Sequence, residues 1–119
     1  MTRVLVCGGR DYLDKEEAFR VLDALDMQRG ISCIIHGAAR GADTLADNWA
    51  FKRSVETEAY PADWTKHGKS AGPIRNQEML AASAPDVVLA FPGGRGTSHM
   101  VSIAKAKGVE VLLAAECPR

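Results

Sequence analysis

An α/β fold, a three-layer Rossmann-like parallel sheet of about five strands, is predicted by three features of the sequence. Short apolar runs alternate with helical patterns along the 119 residues. Most of these runs are continuously apolar, as strands buried on both faces are. Glycine-rich turns follow several of them, at the strand-to-helix junctions where α/β folds place ligands.

The first strand is Val4-Leu5-Val6-Cys7, ended by Gly8-Gly9. Asp14 then stands as an N-cap with Glu17 three residues on, a capping-box arrangement. Ala18, Leu22 and Leu25 follow at helical spacing, and Gly30 closes that helix. Ile31 to Ile35 is the second strand, ending at His36-Gly37. A second helix starts near Ala42 to Thr44 and turns Leu45, Ala46, Trp49 and Ala50 inward. Val55 to Tyr60 alternates with Glu56 and Glu58, the pattern of a half-exposed edge strand.

Pro61 to Gly72 reads as a long loop, after which Pro73 sits in the first turn of a third helix. Met79 and Leu80 face inward there, and Pro85 forces its end. Val87 to Phe91 is fully apolar and therefore central. Pro92-Gly93-Gly94-Arg95-Gly96-Thr97 leads into a fourth helix through Lys107, Gly108 breaks it, and Val109 to Ala114 is the last strand. Glu116 to Arg119 reads as a frayed tail. Parallel strands need crossover helices of one hand. The expected strand order is 3-2-1-4-5, with a crevice where the winding reverses between strands 1 and 4.

The length suits one domain, residues 1–119. Fifteen Lys and Arg balance fifteen Asp and Glu, a net charge of +0. This argues against nucleic acid as the partner, because backbone-tracking proteins carry a basic surplus. No apolar run approaches the ~20 residues of a membrane span, and the N-terminal run is too short for a secretory leader. Cys7, Cys33 and Cys117 share no metal-like spacing, and Cys7 and Cys33 read as buried thiols. The odd count points to a reducing, cytoplasmic setting. No metal and no cofactor are expected, and self-association into a homo-oligomer stays open.

The chemistry gathers in loops. Gly8-Gly9-Arg10-Asp11 and the Pro92 to Thr97 segment flank the predicted crevice. Glycines let backbone N–H groups approach a ligand, and the following helix adds its unpaired N–H groups and positive dipole end. An anion such as phosphate fits this arrangement, while tight turns alone are the structural alternative. The expected contacts are Gly8, Gly9, Gly93, Gly94, Gly96 and Thr97, with Thr97 also capping the fourth helix.

In the neighbouring loop, Gly37 to Asp43, Arg40 offers a bidentate fork to phosphate. Asp43 reads as a cap, a partner for Arg10 or Arg40, or a ligand contact. The 61–72 loop carries Trp64, Lys66, His67 and Lys69, with Arg75 soon after. Aromatic plus basic residues suit a base to stack and a phosphate to neutralise; packing of Trp64 on the core is the alternative. His36, His67 and His99 lie near one end of the sheet without zinc-like spacing, and His99 faces the crevice or caps its helix.

Gly8-Gly9-Arg10-Asp11-Tyr12, His36 to Asp43, Pro61 to Trp64, Gly72-Pro73-Ile74-Arg75-Asn76 and Pro92 to Thr97 together resemble the SLOG superfamily, in its YspA/YpsA-related branch, over nearly the whole chain. The resemblance implies a Rossmann-like domain that binds nucleotides or nucleotide-derived ligands. The Pro92 to Thr97 segment is similar to the signature of the LOG phosphoribohydrolases, which cleave the N-glycosidic bond of nucleoside 5′-monophosphates. Arg75 and Met79 match their Arg-Met pattern, but His99 and Met100 stand where those enzymes carry glutamates. Positive charge builds on the ribose during cleavage, so Glu78, Asp11 or Asp43 would have to stand in. Arg75, Glu78, Asp11 and His99 are thus the catalytic candidates if the chain is an enzyme, with no reaction carried over by the branch itself.

Gly37 to Asp43 also looks like a stretch of the DprA family, which binds single-stranded DNA. The leading expectation is binding of a small phosphate-bearing nucleotide, an NAD- or ADP-ribose-derived one among them, for sensing or sequestration. Arg10, Arg40 and Arg75 would neutralise the phosphate and Trp64 would stack on the base.

Overall fold

A computed structural model describes residues 1–117. Five parallel strands, β1 (Thr2–Cys7), β2 (Ile31–His36), β3 (Glu56–Ala59), β4 (Val87–Ala90) and β5 (Glu110–Leu113), lie in the order β3-β2-β1-β4-β5. The expected order is therefore the observed one. Five helices connect and cover them: α1 (Lys15–Arg29), α2 (Ala42–Lys52), the short α3 (Trp64–His67), α4 (Ala71–Ser83) and α5 (Arg95–Ala106).

The alternating direction of strand side chains divides the core into two layers. Val4 and Val6 of β1, with Val87 and Leu89 of β4, pack under Val21, Leu22, Leu45 and Trp49 of α1 and α2. Leu5 and Cys7, with Val88 and Ala90, pack under Met79, Leu80, Met100 and Ala104 of α4 and α5. Both faces of β4 and of the Val4–Cys7 part of β1 are thus dry, which is why those stretches are unbroken apolar runs. The edges differ: three of the four residues of β3 are exposed, and β5 is only partly covered. Arg3 bonds Glu58 of β3 at 2.8 Å and the Ser83 carbonyl at 2.8 Å, tying that edge to the end of α4.

Local signals act as read. The Asp14 side chain accepts the Glu17 N–H at 3.1 Å, capping α1. The Glu17 carboxylate, however, pairs with Arg20 at 2.7 Å. Trp49 is fully buried and donates its indole N–H to Asp23 of α1 at 2.8 Å, so it locks α2 to α1. Cys7 and Cys33 are buried, and burial pushes the Cys7 thiol up to about 12.

The 61–72 segment is the clearest departure from the sequence reading. It is mostly helical: α3 is capped by Asp63, a 3-10 turn spans Gly68–Ser70, and α4 opens at Ala71. No hydrophobic period announces a one-turn helix, so only the Asp63 cap could have been seen. Ala114–Glu116 forms a 3-10 turn, taking in Ala114, which was expected to end the last strand, and Glu116, which was expected to begin a frayed tail; residues 118–119 of that tail lie outside the described residues.

Three loops meet at Gly9. Its N–H donates to the Pro92 carbonyl at 2.8 Å, and its carbonyl accepts from Ala42 at 3.1 Å and Tyr12 at 3.2 Å. Gly41 makes this junction fit: its φ is +79°, and a Cβ there would run into the Gly9 and Arg10 carbonyls. Gly41→Ala should therefore cost about 2–4 kcal/mol, strain and overpacking together. Urea denaturation reads it, and an unchanged midpoint would show that the junction yields freely.

Candidate functional site

A cavity of about 590 Å³ opens beyond the carboxyl ends of β1 and β4, at the expected switch point. Its floor is apolar, made by Val6, Cys7 and Met79. One wall is the start of α5. Gly94 is the N-cap and supplies no side-chain cap, and the first intrahelical bond runs from Ser98 N–H to the Gly94 carbonyl at 3.0 Å. The N–H groups of Arg95, Gly96 and Thr97 have no partner among the described residues, as helix geometry dictates for a first turn. Arg95, Gly96 and Thr97 all line the cavity.

Thr97 does not cap the helix as expected. The helix begins two residues earlier, which makes Thr97 its third residue and aims its hydroxyl at Gly93. Gly93 itself is outside the lining, packed against Gly8, Gly9 and Thr97. Gly8, Gly9 and Gly94 do face the cavity, but the Gly9 N–H is already bonded to Pro92 and cannot serve an anion.

Four cationic residues, Arg10, Lys69, Arg75 and Arg95, surround the opening, against one acid, Asp43. Arg75, in the first turns of α4, is half-buried. Its Nη1 donates to the Gly37 carbonyl and, at 3.4 Å, to the Tyr60 carbonyl, while Nε donates to Asn76 Oδ1 at 3.0 Å. It therefore ties the ends of β2 and β3 to α4, and Nη2 takes no part in these bonds. Burial lowers its pKa; the Asp43 carboxylate pulls it back up, and Arg10 pushes it further down. Gly37 sits behind this guanidinium rather than on the cavity wall.

Asp43 is only 6% exposed. Its Oδ2 accepts N–H bonds from Gly37 at 3.0 Å and Ala39 at 3.2 Å, so it pins the β2–α2 loop rather than pairing with Arg10 or Arg40. Burial raises its pKa above the usual carboxylate range, against the pull of those bonds and of His36 and Arg75.

Arg40 is not brought to the cavity. It is exposed and lies 3.7 Å from Asp11, itself almost wholly exposed. The phosphate fork expected of Arg40 is therefore not among the groups that line this cavity; the loop it belongs to holds Ala38 at φ +57° and Gly41 at φ +79°. Neither Asp11 nor Glu78 lines the cavity, and Glu78 faces solvent from α4.

Trp64 does line it, half exposed, with the Arg10 guanidinium 5.3 Å over its ring. The histidines separate. His36 bonds Asp47 through Nε2 at 2.9 Å and accepts from Ala38 at Nδ1 at 3.0 Å, while His99 lines the cavity and His67 does not. Asn76 was not singled out by sequence as a site residue. It is buried between Arg75, Gly96 and His99, and its place directly after Arg75 was the available signal. Lys69 and Arg95 were visible as charges but not as neighbours of the same cavity.

The fold and this cavity define a Rossmann-like domain of the nucleotide-binding type. Residues 2–67 match the YspA, cpYpsA-related SLOG family, and the chain belongs to it. It is 42% identical over 120 residues to the Gene 61 protein of Mycobacterium phage D29, across 94% of this chain and 95% of that protein.

Among solved structures, the X-ray structure of TM1055, a structural-genomics target, superposes with a TM-score of 0.74 at 17% identity, over 93% of this chain and 72% of that one. DNA processing protein A from Streptococcus pneumoniae gives 0.75 at 18% identity, over 95% of this chain but 50% of its own. At these identities the two structures show the shared fold. No helix among the described residues is long and apolar enough to cross a membrane.

The raised Asp43 pKa fixes the sign of a stability effect. Between the unfolded and folded pKa values the folded state holds more protons, so stability falls as pH rises through that window. Asp43→Asn can keep both backbone bonds through its amide oxygen and lacks the buried charge. The stability of the wild type relative to Asp43→Asn should therefore grow on acidification from neutral pH to below the ordinary carboxylate range. Urea unfolding of both proteins across that range measures it, and a constant difference would mean the carboxylate is unperturbed.

Proposed function

We propose that this chain binds a small phosphate-bearing, nucleotide-type ligand at the β1/β4 cavity and serves to sense or sequester it. The observation that carries the reading is the α5 N-terminus: three unpartnered N–H groups open into a cavity with four cationic residues and one acid on its wall. Backbone donors and a helix dipole aimed at one point favour an anion. Nη2 of Arg75 and the side chains of Lys69 and Arg95 supply counter-charge. The Trp64 ring, now covered on one face by Arg10, offers its surface to a planar base.

Gly96 gives a clean test. A Cβ there meets nothing within 4 Å and Gly96 lines the cavity, so the side chain of Gly96→Val starts in open space beside the bound ligand. Calorimetry with AMP and with ribose 5-phosphate should show at least a tenfold loss of affinity, about 1.4 kcal/mol, with the thermal midpoint unchanged or raised. Equal affinity in the variant would remove the α5 N-terminus from the site.

We also propose that the bound nucleotide is not hydrolysed. N-glycoside cleavage needs a carboxylate near the developing ribosyl cation. Of the acids considered for that role, Glu78 and Asp11 stand off the cavity, and Asp43 is engaged by two backbone N–H groups. Incubation with AMP should release no adenine above the buffer rate by chromatography. Sustained release would make the protein an enzyme, with Asp43 the first residue to replace.

A further inference from the structure

We infer that Asn76 is a positioning residue that holds His99 in one neutral tautomer, so that His99 Nε2–H is a fixed hydrogen-bond donor to a ligand oxygen beside the α5 anion site. The ligand part of this inference rests on the function proposed above; the tautomer part does not.

The argument starts from donor and acceptor identities. Asn76 is 5% exposed and makes three bonds with its amide. Arg75 Nε, 3.0 Å from Oδ1, can only donate. The Gly96 carbonyl, 3.2 Å from Nδ2, can only accept. Reversing the amide would set donor against donor at Arg75 and acceptor against acceptor at Gly96, so its orientation is determined twice over.

Nδ2 then also meets His99 Nδ1 at 3.1 Å. Facing a donor, Nδ1 must be the bare, accepting nitrogen, and the ring proton is on Nε2. Nε2 has no partner among the described residues, although the ring is half-buried and lines the cavity. An accessible donor that no protein group fills, on the wall of a ligand-sized cavity, is available to a ligand oxygen. His99 is one turn beyond the free N–H groups of Arg95 and Gly96 on the same helix. A ligand held there by phosphate would present to His99 an oxygen attached close to that phosphate, as a sugar phosphate does.

Long-range ¹H–¹⁵N spectra at pH 8, where an ordinary imidazole is neutral, read the tautomer directly. The signal is assigned by its loss in His99→Gln. The wild type should show a bare Nδ1 and a protonated Nε2; a protonated Nδ1 overturns the inference. Asn76→Asp places an acceptor opposite Nδ1 and should move the proton there. A folded variant that keeps the Nε2–H form also overturns it, and if the variant does not fold the wild-type spectrum decides.

The ligand arm compares ribose 5-phosphate with inorganic phosphate. His99→Leu should weaken ribose 5-phosphate about tenfold and leave phosphate unchanged. His99→Gln, which retains a donor, should stay within about threefold of the wild type. Unchanged ribose 5-phosphate affinity in His99→Leu would remove His99 from recognition. No binding of either compound by the wild type would instead overturn the proposed function and leave the spectral result standing.

Discussion

The architecture of the site depends on one backbone contact, the Gly9 N–H bonded to the Pro92 carbonyl at 2.8 Å. β1 and β4 are hydrogen-bonded neighbours whose chains leave in opposite directions, to α1 and to α5. That divergence opens the crevice, and the Gly9–Pro92 bond sets how far it opens. The Gly9 carbonyl receives Ala42, so the start of α2 is set by the same residue. With Gly8 so placed, a Cβ would stand 2.5 Å from that of Ala42 and 2.9 Å from that of Phe91. Three strand-to-helix loops are therefore held in close contact at this point.

On this frame the polar groups divide between holding the loops and facing the cavity. Arg75 does both, with Nε and Nη1 bonded to the protein and Nη2 outside those bonds. Asp43 is a buried carboxylate whose charge is compensated by two backbone N–H groups and by Arg75 nearby. Removing either partner would leave the other charge poorly solvated, the costly case for buried ions. A ligand anion arriving at Arg75 therefore meets a guanidinium whose position is already determined, and little side-chain entropy remains to be lost on binding.

The fold was legible because both central strands are dry on two faces and so print unbroken apolar runs, Val4 to Cys7 and Val87 to Phe91, while glycine and proline mark their ends. The strand order expected of such a doubly wound parallel sheet is the observed one. The site was legible only in part, and the glycines show why. Sequence shows Gly93 and Gly96 as equivalent members of one motif. In the structure, Gly93 is packed against Gly9 and Thr97, whereas the space beside Gly96 is open. The first glycine lets two loops meet and the second leaves room in a cavity, a difference of tertiary contact that no local pattern encodes. Arg40 lies outside the cavity lining for the same kind of reason: its charge was visible, but the course of the Ala38 to Gly41 turn, with two residues at positive φ, was not. Asn76 stood inside a quoted motif but was not singled out, because an amide carries no charge, and its importance lies in joining its neighbour Arg75 on α4 to Gly96 and His99 on α5.

These placements bear on whether such a site would bind or turn over its ligand. A phosphate group keeps its charge while a bond elsewhere in the ligand breaks, so donors aimed at it stabilise ground and transition states alike and add affinity without rate. Acceleration needs a group whose interaction grows with the developing charge. In this cavity the groups able to change are few. The Cys7 thiol is kept protonated by burial. The Asp43 carboxylate is pulled toward the loop behind it by two backbone bonds. In the tautomer inferred above, His99 turns Nδ1 to the Asn76 amide and presents Nε2–H to the cavity as a donor. On the function proposed above, a wall so arranged would recognise an anion and an adjacent oxygen while supplying little to a bond-breaking step.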